Sequence, residues 1–530
     1  MSNGEDKSNE SKKLINWPII LISGGIVLLL VLFAVISPAT AGEAFSAANA
    51  FITDKLGWTY LLATTFFLVV CIALALSRFG KIRLGKDTDR PEFSTRTWFF
   101  MLFICGMGIG LVFWSVAEPI SHYMSPINAE PQTPAAALDA IRISFMHWGL
   151  HPWAVYGCVA MTLAYFVYRK NKPMLISSCL EPLFGKKLIE GWLGKLIDIL
   201  AILATVLGVA TSLGLAAMQI NSGLDYSLGI PTGVMVQISI IAVMTVVFIL
   251  SAVSGVYRGI KWLSNVNMVL VFILLIFVLV AGPTLFIINT FFNGVGAYIA
   301  GIVTQSLWTD PFNESAGWLS GWTIFYWAWW ISWGPFVGVF LARISKGRTI
   351  REFVVGTLIA PTILGFLFMS ILGGTALYFD QNGITSIAEA TSENSAFALF
   401  ALLRELPLTE IFTYLSVILI AIFFITSADS ATLVTSILTA RGNQQPPRFL
   451  RVFWGVAMSL VAIILLLVGG LSSLQTASIV GALPFMIVIV LMCFSIFKAL
   501  RSEKKPELVE STESGGELEP ALAENALLEE

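Results

Sequence analysis

CGMGIGLVFWSVAEP, residues 105–119, decides how the rest of the chain is read. Glycines stand at 106, 108 and 110 inside an apolar run from roughly 97 to 118. A helix rising ~1.5 Å per residue crosses a ~30 Å bilayer in such a run. Gly-x-Gly in a membrane helix commonly serves close helix packing. Three alternating glycines, followed by Glu118-Pro119, point instead to an unwound segment. Broken membrane helices at mid-depth are where carriers hold solutes and ions.

The flanking sequence supports a membrane setting. The chain has 530 residues, 57% hydrophobic and 12% charged. Soluble domains carry about twice that charged share. Twelve apolar runs are expected to span: 17–37, 57–77, 97–118, 138–168, 193–222, 232–254, 262–289, 318–342, 352–378, 410–439, 449–471 and 473–499. They are continuously apolar rather than alternating, which argues for helices and against a barrel. The expected class is an all-α polytopic membrane protein. The first run follows a polar segment with no clear cleavage site and is read as a retained helix. The five cysteines share no close spacing, so no disulfide framework or cysteine metal site is expected.

Basic residues orient the chain. With the N-terminus inside, 28 of the 31 lysines and arginines fall on cytoplasmic segments, leaving Lys55, Arg142 and Arg404 outside. Both termini are therefore expected in the cytoplasm. The organisation reads as a tail (1–16), two peripheral spans with a basic loop (17–96), and five spans (97–290). An extracellular amphipathic segment (291–317), five more spans (318–500) and an acidic tail (501–530) follow. Ile387–Leu403 is expected along the outer surface. Span eight carries SWGPF, residues 332–336, a second expected interruption. Spans three and eight each open a run of five, in opposite senses. An inverted repeat of 5+5 helices follows from position alone.

Five of the 16 tryptophans lie in WTIFYWAWWISWGP, residues 322–335. At helical spacing Trp322, Tyr326, Trp329, Trp330 and Trp333 share a stripe. Span four adds Trp148, Trp153 and Tyr156 from HWGLHPWAVY. Interfacial belts enrich tryptophan at the membrane edges. Trp329 to Trp333 sit near the bilayer centre, so a belt explains them poorly; core packing and a cage remain. A quaternary ammonium has charge but no N–H, and aromatic faces hold it at about 0.5–2 kcal/mol per contact. No acidic residue lies in 106–113 or 322–340. Neutral rings beside freed backbone N–H groups suit a zwitterion.

GMGIGLVFWSVAEP, HWGLHPWAVY, WTIFYWAWWISWGPFVGVFLARISKGRTIREF and TSADS together resemble the betaine/choline/carnitine transporter family, glycine betaine type, across all twelve spans. The resemblance implies a LeuT-like inverted repeat and a homotrimer in the plasma or inner membrane. It implies a carrier, not an enzyme, with no cofactor and no nucleic-acid partner. The substrate site it implies comprises Trp148, Trp153, Tyr156, Trp329, Trp330, Trp333, Met107, Gly108 and Gly110. Its sodium site maps to Ile104, Met107, Phe423, Thr426 and Ser427. A second sodium site maps to Thr205 and Phe336, but Val209 replaces a threonine there. Sodium-independent exchangers of the family use an arginine as the cation. No arginine or lysine lies between Lys195 and Arg258, which favours sodium. Choline-selecting members tend to carry aspartate at Gly110.

The expected function is sodium symport of a betaine-like compatible solute by alternating access. The alternative is a sodium-independent or proton-coupled carrier or exchanger of carnitine, choline, dimethylsulfoniopropionate or ectoine. Glu118, Asp139, Arg142, Asp198 and Asp429 are intramembrane charges and candidates for function by position. His147 and His151, one turn apart, lack an evident third ligand and are read as packing or gating; no metal beyond sodium is expected. The acidic tail does not support osmosensing through a basic extension on anionic lipid.

Overall fold

The computed structural model describes residues 15–106, 108–254 and 257–503. Among them the regular structure is helical, and the one extended pairing is an isolated bridge between Arg83 and Thr349. In chain order the main helices are α1 (Trp17–Ile36), α2 (Pro38–Leu76), α3 (Thr95–Gly106), α4 (Ile109–Met124), α5 (Pro134–Trp148), α6 (Leu150–Ala164), α7 (Trp192–Leu228) and α8 (Val234–Ser254). They continue with α9 (Tyr257–Ala281), α10 (Thr284–Ser306), α11 (Phe325–Ile344), α12 (Ile350–Phe368), α13 (Gly374–Gln381), α14 (Thr409–Thr439) and α15 (Arg448–Arg501).

Eleven described segments are long and apolar enough to cross a membrane. The difference from twelve has three sources. Span three is split into α3 and α4, of 12 and 16 residues, each short for a crossing. α15 runs 54 residues through the last two expected spans. That is about 80 Å of helix, far beyond one bilayer. It breaks at Gly469-Gly470, where Gly470 has φ 56°, a left-handed conformation that glycine adopts freely. Finally, α10 is one apolar helix beginning at Thr284, where a surface segment is expected from 291. It packs along α5, with Gly294 against Ile141 and Phe145.

Burial sorts the helices. The segment Ala316–Ile344 is 94% buried across its most apolar window, and Val234–Val253 only 17%. α11 is thus the central helix and α8 faces outward. α6, α7 and α15 pack most closely on α11. Ile387–Leu403, expected along the outer surface, packs on the helix bundle. It forms two short helices, Ile387–Glu393 and Ala398–Arg404, packed on α4. Its leucines need cover, and Leu399, Leu402 and Leu403 are fully buried.

Two local expectations need correction. SWGPF does not interrupt span eight; α11 is helical through Pro335. Proline removes one donor, and membrane helices tolerate it when neighbours re-satisfy the freed groups. The irregular turn lies earlier, a π-helical turn over Ser320–Ile324. Span four, expected as continuous, is broken at Gly149 between α5 and α6. Pro152 supplies the cause, because it cannot donate to a carbonyl one turn back.

Asp139 and Arg142 pair within α5. Asp198 accepts from the Ser177 N–H at 3.0 Å and hydroxyl at 2.8 Å, fixing the loop before α7. Just past α15, Glu503 meets Arg169 at 2.9 Å and Lys170 at 2.5 Å. Burial alone would raise the Glu503 carboxyl. Hydrogen bonds from Arg169, Lys170 and Tyr165, with the Arg169 charge, hold it down at about 2.

Candidate functional site

Span three supplies the floor of the site. α3 ends at Gly106 and α4 starts at Ile109, with Gly108 extended between them at φ −127° and ψ 174°. The N-terminus of α4 therefore opens inside the bundle. The N–H groups at a helix start carry the positive end of its dipole, and here Leu111 N–H turns back to the Gly108 carbonyl at 3.1 Å.

Above it lies a cavity of about 30 Å³, lined by Gly108, Gly110, Leu111, Trp148, Pro152, Trp153, Tyr156, Trp329, Trp330, Trp333, Pro361, Leu364 and Gly365. The rings stand almost at right angles. Trp148 and Trp330 meet at 4.8 Å and 74°, Tyr156 and Trp330 at 6.4 Å and 80°. Trp153 crosses Tyr156 at 76°, and Trp330 crosses Trp333 at 87°. Trp329 instead stacks on Trp330 at 4.9 Å and 16°.

The indole N–H groups are tied outward. Trp148 Nε1 donates to Glu118 Oε2 at 2.8 Å, and Trp330 Nε1 to the His147 carbonyl at 3.0 Å. Trp329 and Trp333 both donate to the Gly208 carbonyl, at 3.3 and 3.1 Å. With their polar edges engaged, these rings present π-faces. Gly110 permits the packing: a Cβ there would lie 2.3 Å from the Trp329 ring and 3.1 Å from Trp148.

All the substrate-site residues expected from the sequence line this cavity except Met107, which lies outside the described residues. The aromatic stripe of span eight divides. Trp329, Trp330 and Trp333 reach the cavity. Trp322 and Tyr326 turn toward Trp114, at 5.4 and 6.1 Å.

Thr426 and Ser427 sit half-buried on α14, which packs against α4 and α11. The Thr426 hydroxyl donates to the Ile422 carbonyl at 3.0 Å. Its lone pairs stay available to a cation. Phe423 is buried one turn before Ser427. Of Ile104 only its place in the last turn of α3 is described. In the second constellation Thr205 offers one hydroxyl, donating to Ala201 at 2.8 Å, and Val209 beside it offers none. Phe336 packs on Trp333 at 4.9 Å.

Glu118, named by sequence only as an intramembrane charge, is the hub behind the cavity. Its side chain is fully buried. Oε2 accepts from Trp148 and, at 2.6 Å, from the Tyr326 hydroxyl. His147 Nδ1 lies 2.6 Å from Oε1. His151 does not join His147; it pairs with Ser306 at 2.9 Å and stacks on Trp327. His122, Gly208 and Glu118's role as anchor were missed. An acid followed four residues later by histidine, in an otherwise uncharged stretch of α4, was the available signal.

The sequence-family model described as BCCT, betaine/carnitine/choline family transporter, matches residues 18–505. A glycine betaine transporter of Bacillus subtilis (strain 168), OpuD, is 50% identical over 491 residues, 92% of this chain and 94% of the relative. A probable glycine betaine transporter of Desulfitobacterium hafniense (strain Y51) is 46% identical over 506 residues, 95% and 100% of the two chains. An ectoine/hydroxyectoine transporter of Virgibacillus pantothenticus is 43% identical over 500 residues, 94% and 99% of the two.

Proposed function

The chain belongs to the betaine/carnitine/choline transporter family, and on that premise we propose that it imports a betaine-type zwitterion, glycine betaine foremost, by sodium symport with alternating access. The observation that carries the reading is the set of crossed aromatic walls whose indole N–H groups point away from the cavity. Such walls attract a quaternary ammonium that cannot donate a hydrogen bond. The solute's carboxylate then faces the positive, N-terminal end of α4. No acidic residue lines the cavity, so a bare cation such as choline lacks a counter-charge.

The solute is tested by competition. Labelled glycine betaine uptake should fall with unlabelled glycine betaine and be little affected by choline. Stronger competition by ectoine than by glycine betaine would reassign the substrate to the ectoine class. Gly110→Ala supplies a geometric check. Its methyl collides with Trp329, and overpacking of this kind costs about 1–3 kcal/mol. Apparent affinity for glycine betaine should drop about ten-fold in initial-rate uptake; unchanged affinity would mean that the Trp329 wall does not hold solute.

For the ion, Thr426 and Ser427 supply hydroxyl oxygens next to the broken span three. Thr426→Ala with Ser427→Ala is expected to shift half-maximal sodium upward by about ten-fold while glycine betaine still binds at saturating sodium. An unchanged sodium curve would remove this site from the reading. The bias of basic residues favours both termini in the cytoplasm, and the family resemblance favours a trimer in the plasma or inner membrane.

A further inference from the structure

We propose that Glu118, His122 and His147 form a binding site for a divalent ion of the zinc class, set against the back of the aromatic cage. Each residue offers one ligand atom, and these atoms lie within 4.8 Å of one another. Glu118 and His122 are one turn apart on α4 and share a face. His147 comes from α5. Glu118 Oε1 is 2.6 Å from His147 Nδ1 and 3.4 Å from His122 Nε2. All three side chains are 99% buried or more.

His122 is the telling residue. Its Nδ1 has no hydrogen-bond partner among the described residues, and its Nε2 meets Glu118 Oε1 at a long 3.4 Å. Its ring packs on Trp322 at 4.5 Å and Trp318 at 5.1 Å, contacts that engage the ring and offer Nδ1 no acceptor or donor. A buried polar group without a partner calls for a ligand or a water.

The donor set fits. Two imidazoles and one carboxylate form a recurrent three-residue zinc site, with a water in the fourth position. With bonds of about 2.0–2.1 Å, tetrahedral ligands lie about 3.3 Å apart. The His122 contact already has that spacing, and the His147 contact need open by less than 1 Å, about a small rotamer adjustment. Magnesium and calcium prefer oxygen ligands throughout. The outer layer is also in place. His147 Nε2 pairs with Thr323 Oγ1 at 2.9 Å, and Glu118 Oε2 is held by Trp148 and Tyr326. Ligating histidines and carboxylates are commonly oriented in this way.

Occupancy reaches the cage through two hydrogen bonds. Trp148 hangs on Glu118, and Trp330 hangs on the His147 carbonyl. Zinc is therefore expected to inhibit solute uptake, with reversal by a chelator. Zinc binding is read independently of uptake, so either result stands without the other.

The test uses purified full-length protein titrated with zinc chloride in excess magnesium. About one zinc per chain is expected, with an X-ray absorption spectrum showing two imidazoles among its nitrogen and oxygen ligands. His122→Asn should lower zinc affinity at least ten-fold and leave zinc-free uptake near that of the unaltered protein. No retained zinc, a spectrum without imidazole, or equal affinity in His122→Asn would each overturn the proposal. Should His122→Asn fail to fold, the spectrum of the unaltered protein decides.

Discussion

Trp330→Leu is expected to raise the apparent KM for glycine betaine about 10- to 30-fold while the protein still folds. Trp330 is the shared wall of the cavity: it crosses Trp148, Tyr156 and Trp333 and stacks on Trp329. Leucine keeps apolar bulk and removes the π-face. A desolvated cation–π contact contributes about 2 kcal/mol, and each 1.4 kcal/mol is ten-fold in affinity. Trp330→Tyr keeps a face and should lose only a few-fold. If leucine and tyrosine were equivalent, the wall would act by bulk alone. If neither changed KM, the cavity would not be the solute site. Competition uptake with a thermal melt in detergent separates these from misfolding.

Glu118→Leu is expected to abolish measurable uptake and lower the melting temperature, while Glu118→Gln keeps most of both. The carboxylate joins α4, α5 and α11 by accepting from Trp148 and Tyr326 and pairing with His147. Leucine strands all three partners in a buried site. Each unmet group costs about 1–3 kcal/mol, so the loss reaches several kcal/mol. Glutamine retains an acceptor for Trp148 and Tyr326 and an N–H₂ group toward His147. The pair separates geometry from charge. Equal damage in both variants would mean that the negative charge, rather than the anchoring of Trp148 and Tyr326, is what matters.

The sequence showed the spans because bilayer thickness imposes a length that composition reveals directly. It also showed the break at Gly106–Gly110, where three glycines interrupt an apolar run. It missed the break at Gly149, a single glycine inside a continuous apolar stretch, with Pro152 as the unheeded signal. It overread Pro335, because one missing donor does not unwind a well-packed helix. The aromatic lining of the cavity was legible as residue types at helical spacing on spans four and eight. The hub was not. Glu118 meets His147, Trp148 and Tyr326 from 29, 30 and 208 residues away, and no local pattern encodes such a meeting. Nor does composition reveal that Gly208, on α7, accepts from two indoles of α11.

The central claim is sodium-driven import of a betaine-type solute. Its most direct test is labelled glycine betaine uptake into proteoliposomes, with an inward sodium gradient and with potassium in its place. The account predicts accumulation above equilibrium with sodium and none with potassium. Equal uptake in both, increased by preloaded unlabelled solute, would contradict it and make the protein an exchanger.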